Sequence, residues 1–180
     1  MGVTTTETPV LPASLAELKA FLRVTVSDED ALLAALLRAA ADLCEAFTGR
    51  ALIARLVEEM IPAATGRTRL TQGPVRGIES ATAIDETGTA TLIEAEAYST
   101  DVDPAGEGSI RLRAATGAKR LRIAYRVGMA DEWNGVPEMI RHGIIRLAAH
   151  YYVHREEKAG GELPSAVTAL WRPWRRLRLK

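Results

Sequence analysis

Two stretches of the chain repeat apolar residues at helical spacing. Leu32, Leu33, Leu36, Leu37, Ala40, Leu43, Cys44 and Phe47 predict a helix over residues 28–48. Ser27 or Asp28 is its expected cap, and Asp28, Glu29 and Asp30 suit the positive end of the helix dipole. Gly49 is placed to end it in a left-handed conformation. Ile140, Ile144, Leu147, Ala148 and Tyr151 predict a second long helix over residues 137–157. Pro137 fits its first position, and Gly160-Gly161 closes the pattern. Two shorter helices are expected. One runs over residues 15–23 from the capping box Ser14-Leu15-Ala16-Glu17, with Leu15, Leu18, Phe21 and Leu22 as its stripe. The other opens at Pro164-Ser165 and is limited by Pro173.

Between the long helices the period falls to two. Val75 to Asp85, the turn residues Glu86-Thr87-Gly88 and then Ala90 to Tyr98 read as a hairpin. Asp103-Pro104-Ala105-Gly106 is a second turn signal. Ser109 to Arg113 and Lys119 to Val127 alternate apolar and polar residues. Residues 51–61 are helical by propensity, but Gly49 before them and Thr65-Gly66-Arg67-Thr68 after them favour a change of direction. The reading leans to strand and leaves helix open.

The fold class expected is α+β. A mainly helical core of two long packed helices plus short helices carries a small antiparallel β insert over about 52–129. Leu36, Leu43 and Phe47 are expected to meet Ile144, Leu147 and Tyr151. Residues 1–13, with Pro9 and Pro12, read as a flexible N-terminal arm, 14–164 as one domain, and 165–180 as a basic, Trp-rich C-terminal segment.

Composition adds little beyond globularity: 47% of residues are hydrophobic and 26% charged. Net charge is zero but uneven, with 8 basic and 12 acidic residues in 1–90 against 15 and 11 in 91–180. Opposite-sign halves favour head-to-tail association, and scattered solvated charge reads the same sequence equally well. Cys44 is the only cysteine, so no internal disulfide forms, and its place on an apolar helix face makes it a small hydrophobe. No apolar run reaches the roughly 18 residues of a membrane span. The N-terminus has neither the basic nor the apolar part of a signal peptide. Met1-Gly2 with Thr6 fits the loose myristoylation pattern, but no basic patch follows to reinforce an anchor. The expectation is a protein of cytosolic origin with no membrane partner.

No phosphate-binding loop, dinucleotide fingerprint, nucleophile elbow or Cys-x-x-Cys pair is present. His150 and His154 have metal-ligand spacing, with His142 two turns upstream. The residues between them are Tyr-Tyr-Val and supply no glutamate, so the histidines read as helix-surface or interface residues. Nothing selects a carboxylate pair for glycoside hydrolysis. The chain is therefore expected not to be an enzyme, with no catalytic residue, cofactor or metal assigned. The segment that carries a functional reading is the tail. Trp171, Arg172, Trp174, Arg175, Arg176, Leu177 and Arg178 interleave large apolar and guanidinium side chains with no acid, the composition of interface anchors. Two alternatives stand beside partner docking: aromatics folded back on the core with solvated arginines, and nucleic-acid contact.

The order of these pieces resembles the head–tail connector (adaptor) proteins of tailed bacteriophages, prophages and gene transfer agents. Within that group it looks like the gp6-like connectors of the phiE125 gp8 type, with a strand-rich insert. Four segments carry the resemblance: Ser14 to Arg23, Asp28 to Arg50 with its Glu45-Ala46-Phe47-Thr48-Gly49-Arg50 close, Gly73-Pro74-Val75-Arg76-Gly77-Ile78, and Val136-Pro137 through Glu156 with Leu163-Pro164 and the Arg-rich end. The resemblance implies a structural virion protein at the head–tail junction, made in the bacterial host cytoplasm. It implies a homo-oligomeric ring, twelve subunits in number, beneath the portal protein. A stopper or tail terminator would follow on the tail side, and DNA would pass through the channel without sequence specificity. The domain over 14–164 would be the connector domain and the tail a docking segment for the portal or a neighbouring subunit. The rival from another class is a small nucleic-acid-binding regulator that uses the basic tail.

Overall fold

A computed structural model describes residues 3–5, 14–154 and 163–176. The chain divides into two compact units, a helical one from residues 10–53 and 130–180 and a β unit from 1–9 and 54–129. The helical unit is thus interrupted in sequence by the β unit. It contains α1 (Leu15–Leu22), α2 (Asp30–Thr48), α3 (Glu138–Val153) and α4 (Ser165–Trp171). α2 packs on α3, and α1 and α4 also pack on α3. The fully buried face of α2 is Leu33, Leu37, Ala40, Ala41, Cys44 and Thr48; that of α3 includes Ile140, Ile144, Leu147 and Ala148. Burial, with the Glu45 carboxylate as a smaller cause, pushes the Cys44 thiol well above its usual range, so it stays protonated. The two ends of the interruption lie side by side: Ala130 N–H donates to Leu52 O (3.1 Å), and Ile53 forms a parallel bridge with Ala130. Glu45 fixes this crossing by accepting from Leu52 N–H at 2.8 Å.

The β unit has two antiparallel sheets among the described residues. The first orders β1 (Val3–Thr5), β2 (Arg55–Pro62), β8 (Arg120–Val127), β4 (Val75–Ile84) and β5 (Ala90–Leu92) side by side. The second orders β3 (Arg67–Arg69), β7 (Gly108–Leu112) and β6 (Tyr98–Val102). Period two decides which face is buried: Leu121, Ile123, Tyr125 and Val127 of β8 oppose Val57 and Ile61 of β2 in the same core. Glu59 occupies a core position in that row and is fully buried. Its Oε2 accepts from the Tyr125 hydroxyl (2.6 Å) and from Thr71 N–H (2.9 Å). Tyr125 in turn accepts from Gln72 N–H at 3.3 Å. Burial first, and then the Glu59 carboxylate, push the Tyr125 phenol well above its usual range. The pair ties the segment before β4 to the central strands.

The α+β class holds, with residues 55–62 a strand and eight strands in the β unit among the described residues. Several details differ from expectation. α2 starts at Asp30, with Ser27 and Asp28 in the preceding turn closed by Asp30 N–H to Ser27 O; its cap is Glu29, whose carboxylate makes no cap bond and accepts from the Tyr152 hydroxyl. Gly49 does end the helix, at φ +68°. Pro137 caps α3 instead of opening it, its carbonyl accepting from Ile140 and Arg141. The described part of α3 ends at Val153, and residues 155–157 with Gly160-Gly161 lie outside the described residues. Val3–Thr5 of the expected arm is a strand paired to β2; the rest of residues 1–13 lies outside the described residues. The hairpin partner of β4 stops at Leu92. Ile93 N–H makes a last bond to Ala81 O, a 3-10 turn follows at Ala95–Ala97, and Tyr98 begins a strand of the other sheet. Leu36, Leu43, Phe47 and Tyr151 are half-buried, whereas Leu33, Leu37 and Cys44 are the deep residues. The apolar arc of α2 is wide, and packing, not periodicity, chose its centre.

Leu37→Asp is expected to abolish the cooperative thermal transition of the helical unit, because an unpaired buried charge costs several kcal/mol. Leu36→Asp should still fold, and equal loss in both would overturn this orientation of α2. Tyr125→Phe should cost about 1–3 kcal/mol in denaturant unfolding by stripping a donor from a buried carboxylate. In the double variant with Glu59→Gln the losses should fall short of additive.

Candidate docking surface at the C-terminal segment

The segment after Leu163 folds onto the end of α2. Pro164 begins α4, its carbonyl accepting from Val167 (2.9 Å) and Thr168 (3.0 Å). A 3-10 turn over Arg172–Trp174 follows, with Pro173 inside it. The backbone then leaves in extended form at Arg175 (φ −67°, ψ 125°).

Trp171 is 0% exposed. Its Nε1 donates to Ile140 O at 3.3 Å, and its ring lies 6.0 Å from that of Phe47. A Cβ on Gly143 would stand 2.2 Å from that Nε1, so only glycine leaves room for the indole. Trp171 is therefore a core residue and not a free anchor. An aromatic with a polar edge satisfies both demands of this place, apolar volume and a donor for a helix carbonyl.

The remaining tail residues gather at the α2 C-terminus, where helix carbonyls need donors and positive charge is favoured. α2 has no basic residue in its own last turn. The tail supplies what is missing: Arg176 N–H donates to Thr48 O (2.7 Å), and the Arg175 guanidinium lies 5.6 Å over the Phe47 ring. Arg50 Nε reaches back to Trp174 O at 3.0 Å. Trp174 and Arg176 are half-buried, while Arg172 and Arg175 face solvent. Leu177 and Arg178 lie outside the described residues. The sequence-predicted set thus splits into one buried aromatic, residues that dress a helix end, and exposed arginines.

Other chemistry is sparse. The His150 and His154 rings are 4.2 Å apart, and His154 Nδ1 is 2.9 Å from His150 O. Among the described residues no three His, Cys, Asp or Glu side chains are grouped to hold a metal ion. An exposed apolar face that sequence reading did not single out lies on α3. Met139 is exposed there, and His142 packs edge-on against the exposed Phe21 ring of α1 at 6.3 Å. The i, i+3 spacing of Met139 and His142 was visible, but the breadth of the apolar arc concealed which side faces out.

Residues 12–90 match the family model described as phage gp6-like head–tail connector protein. Three solved structures are similar over 100% of this chain and 98% of theirs. A chain in the neck of an empty gene transfer agent particle, computed with C6 symmetry, has 27% identity and a TM-score of 0.81. A chain in the virion of a native gene transfer agent particle has 26% and 0.82. A chain in the neck of a native particle, computed with C12 symmetry, has 26% and 0.79. No curated protein matches.

Replacing Trp171 by Ala should cost about 3–5 kcal/mol in urea unfolding. Gly143→Ala should cost about 1–3 kcal/mol through overpacking against the same indole. Arg172→Ala should stay within about 0.5 kcal/mol of the parent. A neutral Trp171→Ala would show that the tail is not part of the core.

Proposed function

We infer that this chain, which carries the gp6-like head–tail connector pattern over residues 12–90 and the whole fold of chains in gene-transfer-agent particles, is a structural head–tail connector. The observation that carries this reading is the extent of the likeness, which takes in the helical unit, the β unit and the tail alike. The place of action is the head–tail junction of a virion or virus-like particle. The role is to join a DNA-filled head to a tail.

The similar necks are described with C6 and C12 symmetry, which supports a ring of copies of this chain. Such a ring joins two different patches of each subunit. The ring has twelve copies and sits against the portal protein. A stopper or tail terminator binds its far side, and DNA passes through its channel without sequence specificity. The exposed tail residues Arg172 and Arg175, with Leu177 and Arg178 beyond them, dock on the portal or a neighbouring subunit. No catalysis is ascribed to the chain. The reading as a nucleic-acid-binding regulator loses its main support, because Trp171 is enclosed in the core and is not available for stacking on bases.

The docking role is tested by truncation after Arg176, which keeps Trp171 and the Arg176 to Thr48 bond. The shortened protein should fold with parental stability yet leave DNA-filled heads without tails in electron micrographs. Infectious or transducing titre at the parental level would count against docking by the last four residues. Truncation after Leu170 is not a substitute, since it removes a core side chain.

A further inference from the structure

Residues 77–110 contain eight acidic residues and no Lys, Arg or His. Several of these acids are engaged: Glu79 with Arg126, Glu86 with Lys119, and Asp101 with Arg67. Asp85 and Asp103 bind amides of their own turns. Glu94 and Glu96 are exposed and have no ion pair among the described residues. They directly follow β5, the last strand in the order of its sheet.

β5 bonds to β4 on one side through Thr82–Ile84, and its other side has no strand among the described residues. All three of its residues are exposed, and Leu92 is 63% exposed. Such an edge is a template for strand addition. Beside it lies a cleft of about 450 Å³, walled in part by Ala83, Thr91, Ile93 and Gly117. The edge thus offers backbone donors and acceptors, an apolar side chain, room on one face and unpaired negative charge at its end.

The complement is in the same sequence. After Arg176 come Leu177, Arg178, Leu179 and Lys180, alternating apolar and basic with no acid. Four extended residues span roughly 13 Å, enough to run the length of a three-residue strand. Alternation places the two leucines on one face and the two cations on the other.

We propose that the free edge of β5, with Leu92, Glu94 and Glu96, receives Leu177–Lys180 of a second copy of this chain as an added strand. This rests on the connector reading, since a ring needs one face that gives and a different face that receives. The tail of each copy would reach the β unit of the next. The contact would close the ring without an isologous pair.

The experiment uses the full-length protein in particles. Leu92→Cys and Leu179→Cys are introduced together, with Cys44 left in place because it is buried. Mild oxidation and non-reducing electrophoresis should give a ladder of disulfide-linked multimers. Mixing the two single variants should give dimers only. Glu94→Arg with Glu96→Arg should lower ring yield at least tenfold, and Arg178→Glu with Lys180→Glu in the same chain should restore it. A disulfide within one chain, a disulfide to a different protein, or no disulfide in particles whose necks hold the ring would each overturn the proposal while leaving the connector reading intact. Absence of the parental protein from the neck in electron micrographs would overturn both.

Discussion

The indole of Trp171 lies in the space that a side chain at residue 143 would fill, and this contact binds together parts of the chain that are distant in sequence. Phe47 at the end of α2, Gly143 in the middle of α3 and Trp171 at the end of α4 meet there. The helical unit is made from two segments separated by residues 54–129, so the packing of α1 and α2 on α3 joins parts distant in sequence at a loop-closure cost. A large side chain that fills a gap and bonds a helix carbonyl offsets that cost in one place. It also fixes where the tail leaves the molecule. With Trp171 held and Arg176 bonded to Thr48, the last four residues start from a defined point at the α2 C-terminus.

The β unit is held by a different kind of interaction. Glu59 is a polar side chain in an apolar row, tolerated because Tyr125 and Thr71 donate to it. Replacing both partners of such a buried hydrogen bond by apolar groups of the same shape can be nearly neutral. The pair does place the stretch from Thr71 to Gln72 against the central strands, and so sets where β4 begins. The bulges of β4 opposite β8, between Val75 and Gly77 and between Ile78 and Ser80, re-aim its side chains along the way. At the far end of this sheet β5 is short and fully exposed, which leaves an edge available to a partner.

A connector requires surfaces that pair with copies and neighbours more than it requires a reactive pocket. The distribution of charge agrees with that need. Zero net charge conceals an acidic stretch without a base and a basic tail without an acid. Opposite patches of this kind speed encounter and fix orientation, and they forbid pairing of like faces. The α3 face with Met139 and the Phe21–His142 contact adds an apolar surface in the helical unit.

Local pattern along the chain was enough for the class of fold, the two long helices and their order around a strand-rich stretch. Periodicity and punctuation are local properties, and Gly49, the Asp85 turn and the Asp103 turn do what their chemistry predicts at those positions. It also carried the family resemblance, because order and spacing survive where no single motif does. Tertiary structure decided what periodicity cannot. α2 shows a wide apolar arc, and only packing against α3 made Leu37 deep and Leu36 marginal. Trp171 and Trp174 look equivalent in sequence, three residues apart among arginines. The space over Gly143 took the first into the core and left the second at the rim, because a cavity of that shape exists only once α2 and α3 have met.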